Sequence, residues 1–333
     1  MNASVVDSLI QAFPHLSFLQ NVTLAPYTYM KVGGPAQLFI EVTLTDDLFD
    51  LSAFCFLHAI PFVVLGGVSN TVISDEGIQK LVILNKTNEV EIRKSDGSEK
   101  ATVVADSGVI TAMLANETMK ADLTGLEYFV GVPGTIGGAV VNNSHFTLHE
   151  LIGNCILSVE VCTEEGTRAV WMKENLQFGY DYSIFHTTKA VILKATFELY
   201  KGDQVHIKEK MMQAAQKRVR TQPIGIPSTG CMFKNPKIST QQLASLQGIL
   251  SVPESAVKSL QDVTQIAAGF LIDQAGMKNT VVGGAQVSDK HATYIVNLGS
   301  ATAKDIDELA NEVESNVFKK FGIKLEREVF FLH

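Results

Sequence analysis

The chain has 333 residues, and because domains usually contain roughly 100–200 residues, this length predicts two or three domains rather than one. Hydrophobic residues make up 46% of the chain and charged residues 19%, a balance that excludes global disorder. The net charge of −8 disfavours a nucleic-acid partner, because phosphates require a basic protein face.

No stretch of the sequence is long and apolar enough to predict a membrane-spanning helix. The most apolar stretch runs from Ala53 to Val68, but His58 and Pro61 interrupt it, and a spanning helix needs roughly 18 apolar residues. No basic residue precedes the first apolar stretch, which contains Asp7, so a secretory signal is not predicted. We therefore expect a soluble, cytoplasmic protein with no membrane partner and no obligate protein partner.

The cysteines predict neither a metal site nor a disulfide framework. They lie in separate segments, without a C-x-x-C pair and without a nearby histidine cluster. Their positions are Cys55, Cys155, Cys162 and Cys231. We expect reduced thiols.

Strand signals dominate the first two hundred residues, with fewer helical signals between them. The predicted strands are Ala36 to Val42, Phe62 to Leu65, Thr102 to Ala105, Ile156 to Val161 and Val191 to Tyr200. One helix is predicted to start at Thr45, whose hydroxyl can cap its first turn. Its apolar face carries Leu48, Leu51, Phe54 and Cys55, which we expect to be core.

The pattern changes after Gln204, where a charged helical stretch runs to Arg220. A loop rich in proline and glycine follows over 222–230, and helical segments lie between Thr240 and Gly276. This change predicts a domain boundary near residue 210.

A long helix and a strand are predicted at the end of the chain. The helix is capped by Thr302 and runs to Lys320, and the strand runs from Lys324 to Phe331. Because side chains alternate along a strand, Glu326 and Glu328 share one face, opposite apolar residues.

Two glycine-rich loops, Leu65 to Asn70 and Gly131 to Ala139, lie among these elements. Neither matches the dinucleotide-binding or P-loop fingerprint. A strand that ends in two glycines lets a ligand approach the backbone, and successive N–H groups in such a turn bind anions. A pyrophosphate is therefore the natural ligand, although a tight turn without a ligand is the alternative for either loop taken alone.

A third cluster, Pro227 to Pro236, brings hydroxyls, a thiol, an ammonium and an amide into ten residues of predicted loop. A buried, inert Cys231 is the common alternative in such proteins. Its polar neighbours and the adjacent glycine instead predict an accessible thiol.

Taken together, the motifs of the chain resemble those of the UDP-N-acetylenolpyruvoylglucosamine reductase (MurB) family, and the resemblance covers nearly the whole length. The short stretch between Phe185 and Val191 resembles the subgroup without the long substrate-covering loop. The motifs that carry the resemblance are Thr28 to Ala36, Leu65 to Asn70, Gly125 to Glu127, Gly131 to Ala139, Phe178 to Tyr180, Ser228 to Pro236, Ala268 to Asp273, Gly283 to Ser288 and Leu325 to Val329.

The resemblance implies an α+β protein with a vanillyl-alcohol-oxidase/PCMH-type FAD-binding fold and a C-terminal α/β substrate-binding domain. The first FAD-binding subdomain would span 1–75 and be completed by the C-terminal strand at 322–333. The second would span 76–210, and the substrate-binding domain 211–321.

The resemblance also implies an enzyme of peptidoglycan precursor synthesis with non-covalent FAD. NADPH would reduce the flavin, which would pass a hydride to C3 of UDP-N-acetylglucosamine enolpyruvate before C2 is protonated. The implied cofactor-binding residues are Gly66, Gly67, Val68, Ser69, Asn70, Gly131, Pro133, Gly134, Gly137 and Gly138.

Family motifs assign roles to five further residues. Cys231 occupies the position of the family's proton-donating serine, and a thiol, with an ordinary pKa of about 8.5, is the stronger acid. Glu328 matches the catalytic glutamate, although a solvated strand face is the plain alternative. Tyr180, Lys234 and Asn235 match residues that contact the substrate.

The sequence departs from the family at Asp181, where an arginine would hold the substrate carboxylate, and at Val68, which replaces a glycine. We expect Asp181 either to turn away from the substrate or to be neutralised by Arg218, Arg220 or Lys234. The departure leaves a second hypothesis open, a flavin- or UDP-sugar-binding relative with lost or altered catalysis. A third, an oxidase of the same fold, lacks an evident histidine motif for covalent flavin.

Overall fold

The computed structural model describes residues 3–94, 97–147, 149–260 and 263–333. The described α-helices are α1 (Ala3–Ala12), α2 (Thr45–Leu57), α3 (Thr111–Lys120), α4 (Ile136–Val141), α5 (Gln204–Thr221), α6 (Thr240–Ile249), α7 (Ala268–Gln274) and α8 (Ala303–Phe321). None of these helices is long and apolar enough to cross a membrane.

The β-strands are short, and most of them are antiparallel to their neighbours. They are β1 (Leu19–Thr23), β2 (Pro35–Val42), β3 (Phe62–Leu65), β4 (Thr71–Ile73), β5 (Ile78–Asn85), β6 (Val90–Lys94), β7 (Lys100–Asp106), β8 (Leu123–Thr124), β9 (Ile156–Cys162), β10 (Arg168–Met172), β11 (Val191–Lys201), β12 (Ser228–Cys231), β13 (Lys237–Ile238), β14 (Val257–Leu260), β15 (Val263–Ile266), β16 (Val281–Val282), β17 (Ala285–Val287), β18 (Tyr294–Asn297) and β19 (Phe330–Leu332). The five strands predicted from the sequence are confirmed as β2, β3, β7, β9 and β11.

The chain divides into two compact units. The first unit consists of Met1–Thr23, Pro35–Val68 and Ile78–Arg220. The second unit consists of Leu24–Gly34, Ser69–Gly77 and Thr221–His333.

The first unit contains two sheets. One has the strand order β1-β2-β5-β3, in which β2, β5 and β3 are parallel. The other has the order β10-β9-β11-β7-β6 and is antiparallel, with β8 paired to β11. The apolar face of α2 is buried in the core as predicted, because Leu48, Leu51 and Cys55 are fully buried against Leu38 and Leu193.

The predicted cap of α2 is wrong. Leu44 occupies the capping position, and no side chain caps the helix there. Thr45 is instead the first residue inside the helix, and its buried hydroxyl has no hydrogen-bond partner among the described residues. Asp46 and Asp47 lie in the first turn, where negative charge interacts favourably with the helix dipole.

The second unit is built around a single core of buried apolar residues under α7 and α8. Its strands form the antiparallel orders β12-β18-β17-β16 and β13-β15-β14, and β19 pairs in parallel with β4. The predicted cap of α8 is confirmed, because the Thr302 hydroxyl accepts from the N–H of Asp305 at 3.0 Å while the Asp305 carboxylate accepts from the N–H of Thr302 at 2.9 Å.

Two predictions about the second unit need correction. The segment around Cys231 is not wholly loop, because Ser228–Cys231 forms β12 on the edge of β18, with a register shift that includes Gly230 at φ +83°. The last strand is shorter than predicted, spanning Phe330–Leu332. The residues before this strand pair with residues 232–234 through one isolated bridge, between Phe233 and Arg327, whereas the N–H of Phe330 donates to the carbonyl of Asn70. The hydrogen bonds of the predicted strand therefore go to two different segments.

Candidate functional site

A cavity of about 800 Å³ lies in the first unit, within the range of ~300–1,000 Å³ that is typical of small-molecule sites. Apolar residues of α2, β3 and the turn between them form part of its lining, including Phe56, Ile60 and Phe62. Residues of both predicted glycine loops, among them Gly66 and Gly137, form another part. The cavity therefore combines an apolar surface with backbone that a ligand can approach closely.

The two predicted glycine loops contact each other in the first unit. A Cβ on Gly66 would lie 2.3 Å from the hydroxyl oxygen of Thr135, and a Cβ on Gly67 would lie 2.7 Å from the Cα of Gly134. At Gly67 the clash would be with backbone, so only glycine fits there, whereas at Gly66 a side chain would displace the Thr135 hydroxyl. The sequence had proposed both loops for one ligand, and this contact supports that proposal.

The polar groups of the second loop are only partly available to a ligand. The N–H of Ile136 donates to the carbonyl of Val109 at 2.8 Å, and the N–H of Gly137 donates to the carbonyl of Ser107 at 2.7 Å. The hydroxyl of Thr135, by contrast, is buried, lines the cavity and has no hydrogen-bond partner among the described residues. Burying an unpaired hydroxyl costs free energy, so this atom is a strong candidate for a ligand contact.

Parallel strand ends explain why polar residues gather at this cavity. In β3 and β5, Leu65 lies beside Leu84, so Gly66, which follows β3, and Asn85, the last residue of β5, lie at the same edge of the sheet. Asn85 lines the cavity and donates to the hydroxyl of Ser107 at 2.7 Å. Ligands of parallel sheets commonly bind at this carboxyl edge.

Thr135, Asn85 and Ser107 line the cavity but are not predicted from the sequence as site residues. A buried apolar run followed by Asn85 is a usable signal, because it marks the end of a parallel strand. The contact between Asn85 and Ser107 joins residues 22 positions apart, and nothing in the local sequence predicts it.

Of the remaining predicted cofactor residues, one lines the cavity, and the others lie outside its lining or in the second unit. Gly138 lines the cavity together with Gly137. Gly131 is packed against Arg218, whose Cδ would lie 2.7 Å from a Cβ there. Asn70 belongs to the second unit, where its amide N–H donates to the carbonyl of Glu328 at 3.2 Å.

Val68 has a backbone conformation that valine rarely adopts. Its φ is +47°, in the left-handed region that favours glycine, and its side chain is buried. This is the position at which the resemblance indicates a glycine, so the backbone keeps a conformation suited to glycine although the residue has changed.

Asp181 is buried and paired with a histidine. One carboxylate oxygen, Oδ1, lies 3.2 Å from Nδ1 of His145, while Oδ2 has no hydrogen-bond partner among the described residues. The rings of His145 and Tyr180 are 5.5 Å apart between centroids, so the imidazole is near both the carboxylate and the predicted substrate tyrosine. The expected partners Arg218, Arg220 and Lys234 are therefore replaced, in the described first unit, by His145.

The second unit brings two predicted catalytic residues onto neighbouring backbone segments. The N–H of Glu328 donates to the carbonyl of Met232 at 2.9 Å, which places Glu328 beside the residue that follows Cys231. The N–H of Lys234 donates to the carbonyl of Glu326 at 2.9 Å, two positions along the same pair of segments. Cys231 and Glu328 thus lie on two backbone segments that are hydrogen-bonded to each other.

Lys234 and Asn235 follow in the same segment. The Lys234 ammonium lies 2.8 Å from a carboxylate oxygen of Glu326, and its side chain is largely buried. The side-chain oxygen of Asn235 accepts from the N–H of Ala268 at 2.9 Å, at the start of α7. Asn235 therefore holds α7 against the segment that carries Cys231.

The family models match two parts of the chain. Residues 36–170 match an FAD binding domain. Residues 222–332 match the C-terminal domain of UDP-N-acetylenolpyruvoylglucosamine reductase.

Curated relatives match the chain over nearly its whole length. A UDP-N-acetylenolpyruvoylglucosamine reductase from Clostridium novyi (strain NT) is 36% identical over 93% of this chain and 90% of its own length. Another, from Pediococcus pentosaceus, is 33% identical over 97% of both chains. The crystal structure of UDP-N-acetylenolpyruvylglucosamine reductase (MurB) from Thermus caldophilus is similar with a TM-score of 0.71 and 29% identity, over 96% of this chain and 99% of that one.

Proposed function

Because the chain belongs to the UDP-N-acetylenolpyruvoylglucosamine reductase family, we propose that it is an FAD-dependent enzyme that uses NADPH to reduce UDP-N-acetylglucosamine enolpyruvate to UDP-N-acetylmuramate. Its fold is α+β, with a vanillyl-alcohol-oxidase/PCMH-type FAD-binding part and a C-terminal α/β substrate-binding part. We further propose that it works in the cytoplasm, where both nucleotide substrates occur. There its product would feed peptidoglycan synthesis and so support cell shape and division.

The single observation that supports catalysis, rather than binding alone, is that the segments carrying Cys231 and Glu328 are hydrogen-bonded to each other in the second unit. A protein that only binds a flavin or a UDP-sugar has no need to keep a proton donor and a carboxylate on neighbouring segments. The hypothesis of a relative without catalysis is therefore not favoured.

The residues of the first unit fit an FAD molecule. The buried Thr135 hydroxyl and the glycines that line the cavity offer the polar contacts and close backbone approach that a pyrophosphate requires. Gly66, Gly137 and Gly138 are the positions that we propose to contact it. Gly67 and Gly134 hold the two loops together.

The chemistry of the lining also favours non-covalent FAD. Among the described residues that line the cavity there is no histidine. Cys55 lines it, but burial raises the pKa of this thiol to about 12, so the thiol stays protonated and is a poor nucleophile for flavin attachment.

The chain's own residues must bind the substrate and supply a proton. Bound FAD supplies the hydride that passes from NADPH to C3 of the enolpyruvyl group. We propose that the thiol of Cys231 then protonates C2 and that Glu328 acts beside it. Tyr180, Lys234 and Asn235 would contact the substrate. In this proposal residues 1–75 with 322–333, and 76–210, are the FAD-binding subdomains, and 211–321 form the substrate-binding domain.

The test separates the two half-reactions by stopped-flow spectroscopy of the holoenzyme. Cys231→Ala should leave flavin reduction by NADPH within about twofold of the wild type, but it should slow flavin reoxidation by the enolpyruvyl substrate by about 10²–10⁴-fold, because only the second step needs a proton at C2. Cys231→Ser should retain much more of this second activity, since a hydroxyl can also donate.

Cys155→Ser is the matched control, because it alters another partly buried thiol that lies in the first unit. It should leave both half-reactions unchanged. Equal losses in the two half-reactions of Cys231→Ala would show that Cys231 is structural, and no loss in either would remove it from the mechanism.

A further inference from the structure

A chain of hydrogen bonds connects Cys231 to a histidine in the second unit. The hydroxyl of Thr293 lies 3.2 Å from the sulfur of Cys231, and it also lies 2.7 Å from Nδ1 of His291. Thr293 is 3% exposed, so water does not compete freely for its hydroxyl.

The backbone fixes these three side chains in place. The N–H of Met232 donates to the carbonyl of Thr293 at 2.7 Å, which ties the residue after Cys231 to the start of β18. The N–H of Tyr294 donates to the carbonyl of His291 at 2.9 Å, and the two rings are 4.9 Å apart between centroids. Because the turn is closed by these contacts, Thr293 is held between the thiol and the imidazole.

A threonine hydroxyl has one proton, so this chain has two possible arrangements. In the first, Nδ1 of His291 donates to the Thr293 oxygen, and the Thr293 hydroxyl donates to the sulfur. In the second, the thiol donates to the Thr293 oxygen, and the hydroxyl donates to Nδ1. Only the first leaves the thiol proton available to a substrate, and it also places a donor on the sulfur when that proton is lost.

We propose that Thr293 and His291 form a proton relay that stabilises the Cys231 thiolate and returns a proton to it. This inference rests on the proposed function, in which Cys231 protonates C2. When the S–H bond breaks and the C2–H bond forms, the Thr293 proton moves to the sulfur and the Nδ1 proton moves to the Thr293 oxygen. As Nδ1 gives up this proton, Nε2 takes one from solvent, so the imidazole stays neutral. Exchange of the ring proton with solvent then restores the Nδ1–H form, so each turnover consumes one solvent proton and changes no oxidation state.

The surroundings of His291 keep its imidazole in the form that this relay needs. Burial, and secondarily the charge of Lys278, lower the pKa of His291 below its ordinary value. Lys278 is itself paired with Asp273 of α7 at 3.0 Å, and Gly269 of α7 packs close to both His291 and Thr293. A neutral imidazole can donate at one nitrogen and accept at the other, whereas the charged form can only donate.

The decisive variant is Thr293→Val, which removes the hydroxyl and keeps the branched shape. The readout is the pH dependence of Cys231 alkylation by iodoacetamide in the FAD-bound protein, followed by mass spectrometry of the Cys231 peptide. We expect the midpoint of alkylation to rise by about one pH unit, a tenfold loss of thiolate at a given pH, because a donor to the sulfur is lost. Thr293→Ser should restore the wild-type midpoint.

The half-reactions give the second readout. Thr293→Val and His291→Phe should leave flavin reduction by NADPH unchanged and should slow flavin reoxidation by the substrate about tenfold or more. An unchanged alkylation midpoint in Thr293→Val would overturn the relay, even where Cys231→Ala blocks reoxidation. If Cys231→Ala leaves reoxidation intact, it is the catalytic role of Cys231 that fails, whatever the midpoint does.

Discussion

A buried carboxylate at position 181 changes the charge of a site where the family resemblance indicates a cation. Asp181 is 4% exposed, and its Oδ1 lies 3.2 Å from Nδ1 of His145. Asp181 also has a φ of +48°, a conformation that aspartate and asparagine tolerate better than most residues. The buried carboxylate is therefore paired with an imidazole.

The coupling between these two residues is measurable. Asp181→Asn and His145→Gln should each destabilise the protein, and the double variant should lose less than the sum, with a coupling free energy of about 0.5–3 kcal/mol. Urea unfolding of the four proteins gives this value. Additive losses would show that the 3.2 Å contact contributes nothing to stability.

The same burial decides what a restored arginine would do. Asp181→Arg places a long side chain in a position that is almost closed to solvent, so we expect it to lower stability and not to raise kcat/KM. A gain in kcat/KM would instead show that the position faces the substrate.

Val68 offers a test of backbone strain. A β-branched residue in the left-handed region costs about 1–3 kcal/mol, and glycine removes this cost. Val68→Ala keeps most of the strain and loses apolar burial, whereas Val68→Gly loses the burial but relieves the strain. We therefore expect Val68→Gly to be more stable than Val68→Ala in thermal unfolding, the reverse of the usual order at a position with negative φ. The usual order would show that the strain is small.

The chemical roles of single residues were easier to predict than the residues that they contact. The thiol of Cys231 and the carboxylate of Glu328 stand in local motifs, so the sequence indicated their chemistry. Asp181 and His145 are 36 positions apart, and Cys231 and Thr293 are 62 apart, so only the fold reveals that they meet. Proposing arginine or lysine as the partner of Asp181 was reasonable on charge, but histidine was overlooked.

At the scale of secondary structure, amphipathic helices could be predicted, but the ends of strands and their pairing partners could not. The α8 helix carries a complete capping box and buries Ile306, Leu309 and Val313, so its pattern indicates its start and its inner face. The segment before β19 was harder, because its alternating pattern is that of a strand while its hydrogen bonds change partner near Arg327. The pairing register between two distant segments cannot be predicted from the sequence of either segment alone.

The ion pair between α5 and the segment that follows β8 gives a pH-dependent prediction. Glu127 is 4% exposed and lies 3.2 Å from the ammonium of Lys210 in α5. Burial alone would raise the pKa of Glu127, but hydrogen bonds from the N–H of Gly125, from Thr124 and from Lys210 outweigh it and lower this pKa.

A lowered pKa in the folded state means that the unfolded chain binds the proton more tightly. The ionised carboxylate therefore stabilises the fold above about pH 4.3, the ordinary pKa of glutamate, and this contribution disappears as pH falls through the folded pKa. Glu127→Gln should lower the free energy of unfolding at pH 7, and the difference from the wild type should shrink as pH falls below about 4. A difference that is constant with pH in urea unfolding would contradict this.

At the scale of the whole molecule, the chain's division into two units separates the proposed cofactor cavity from the proposed proton donor in sequence. The sequence indicated both sites, because each depends on short motifs. It did not indicate that residues 24–34 and 69–77 belong with the C-terminal unit. The hydrogen bond between Asn70 and Glu328, 258 positions apart, is one of the contacts that only the folded chain contains.

Stability of the whole protein should depend on FAD. A ligand that binds only the folded chain stabilises it by about 2.7 kcal/mol when its concentration is a hundredfold above Kd. The protein stripped of flavin should therefore melt at a lower temperature than the holoenzyme, and added FAD should restore the melting temperature. A melting temperature that does not respond to FAD would exclude the proposed cavity.

The Thr135→Val variant tests whether the Thr135 hydroxyl contributes to FAD binding in the cavity. The hydroxyl of Thr135 has no partner among the described residues, so removing it should leave the flavin-free protein as stable as the wild type, or slightly more so. It should reduce the gain in melting temperature that FAD produces. Thr229→Val is the matched control, because its hydroxyl is equally buried and unpaired within the described chain but lies in the second unit. If both variants reduce the gain alike, or neither does, Thr135 is not a flavin contact.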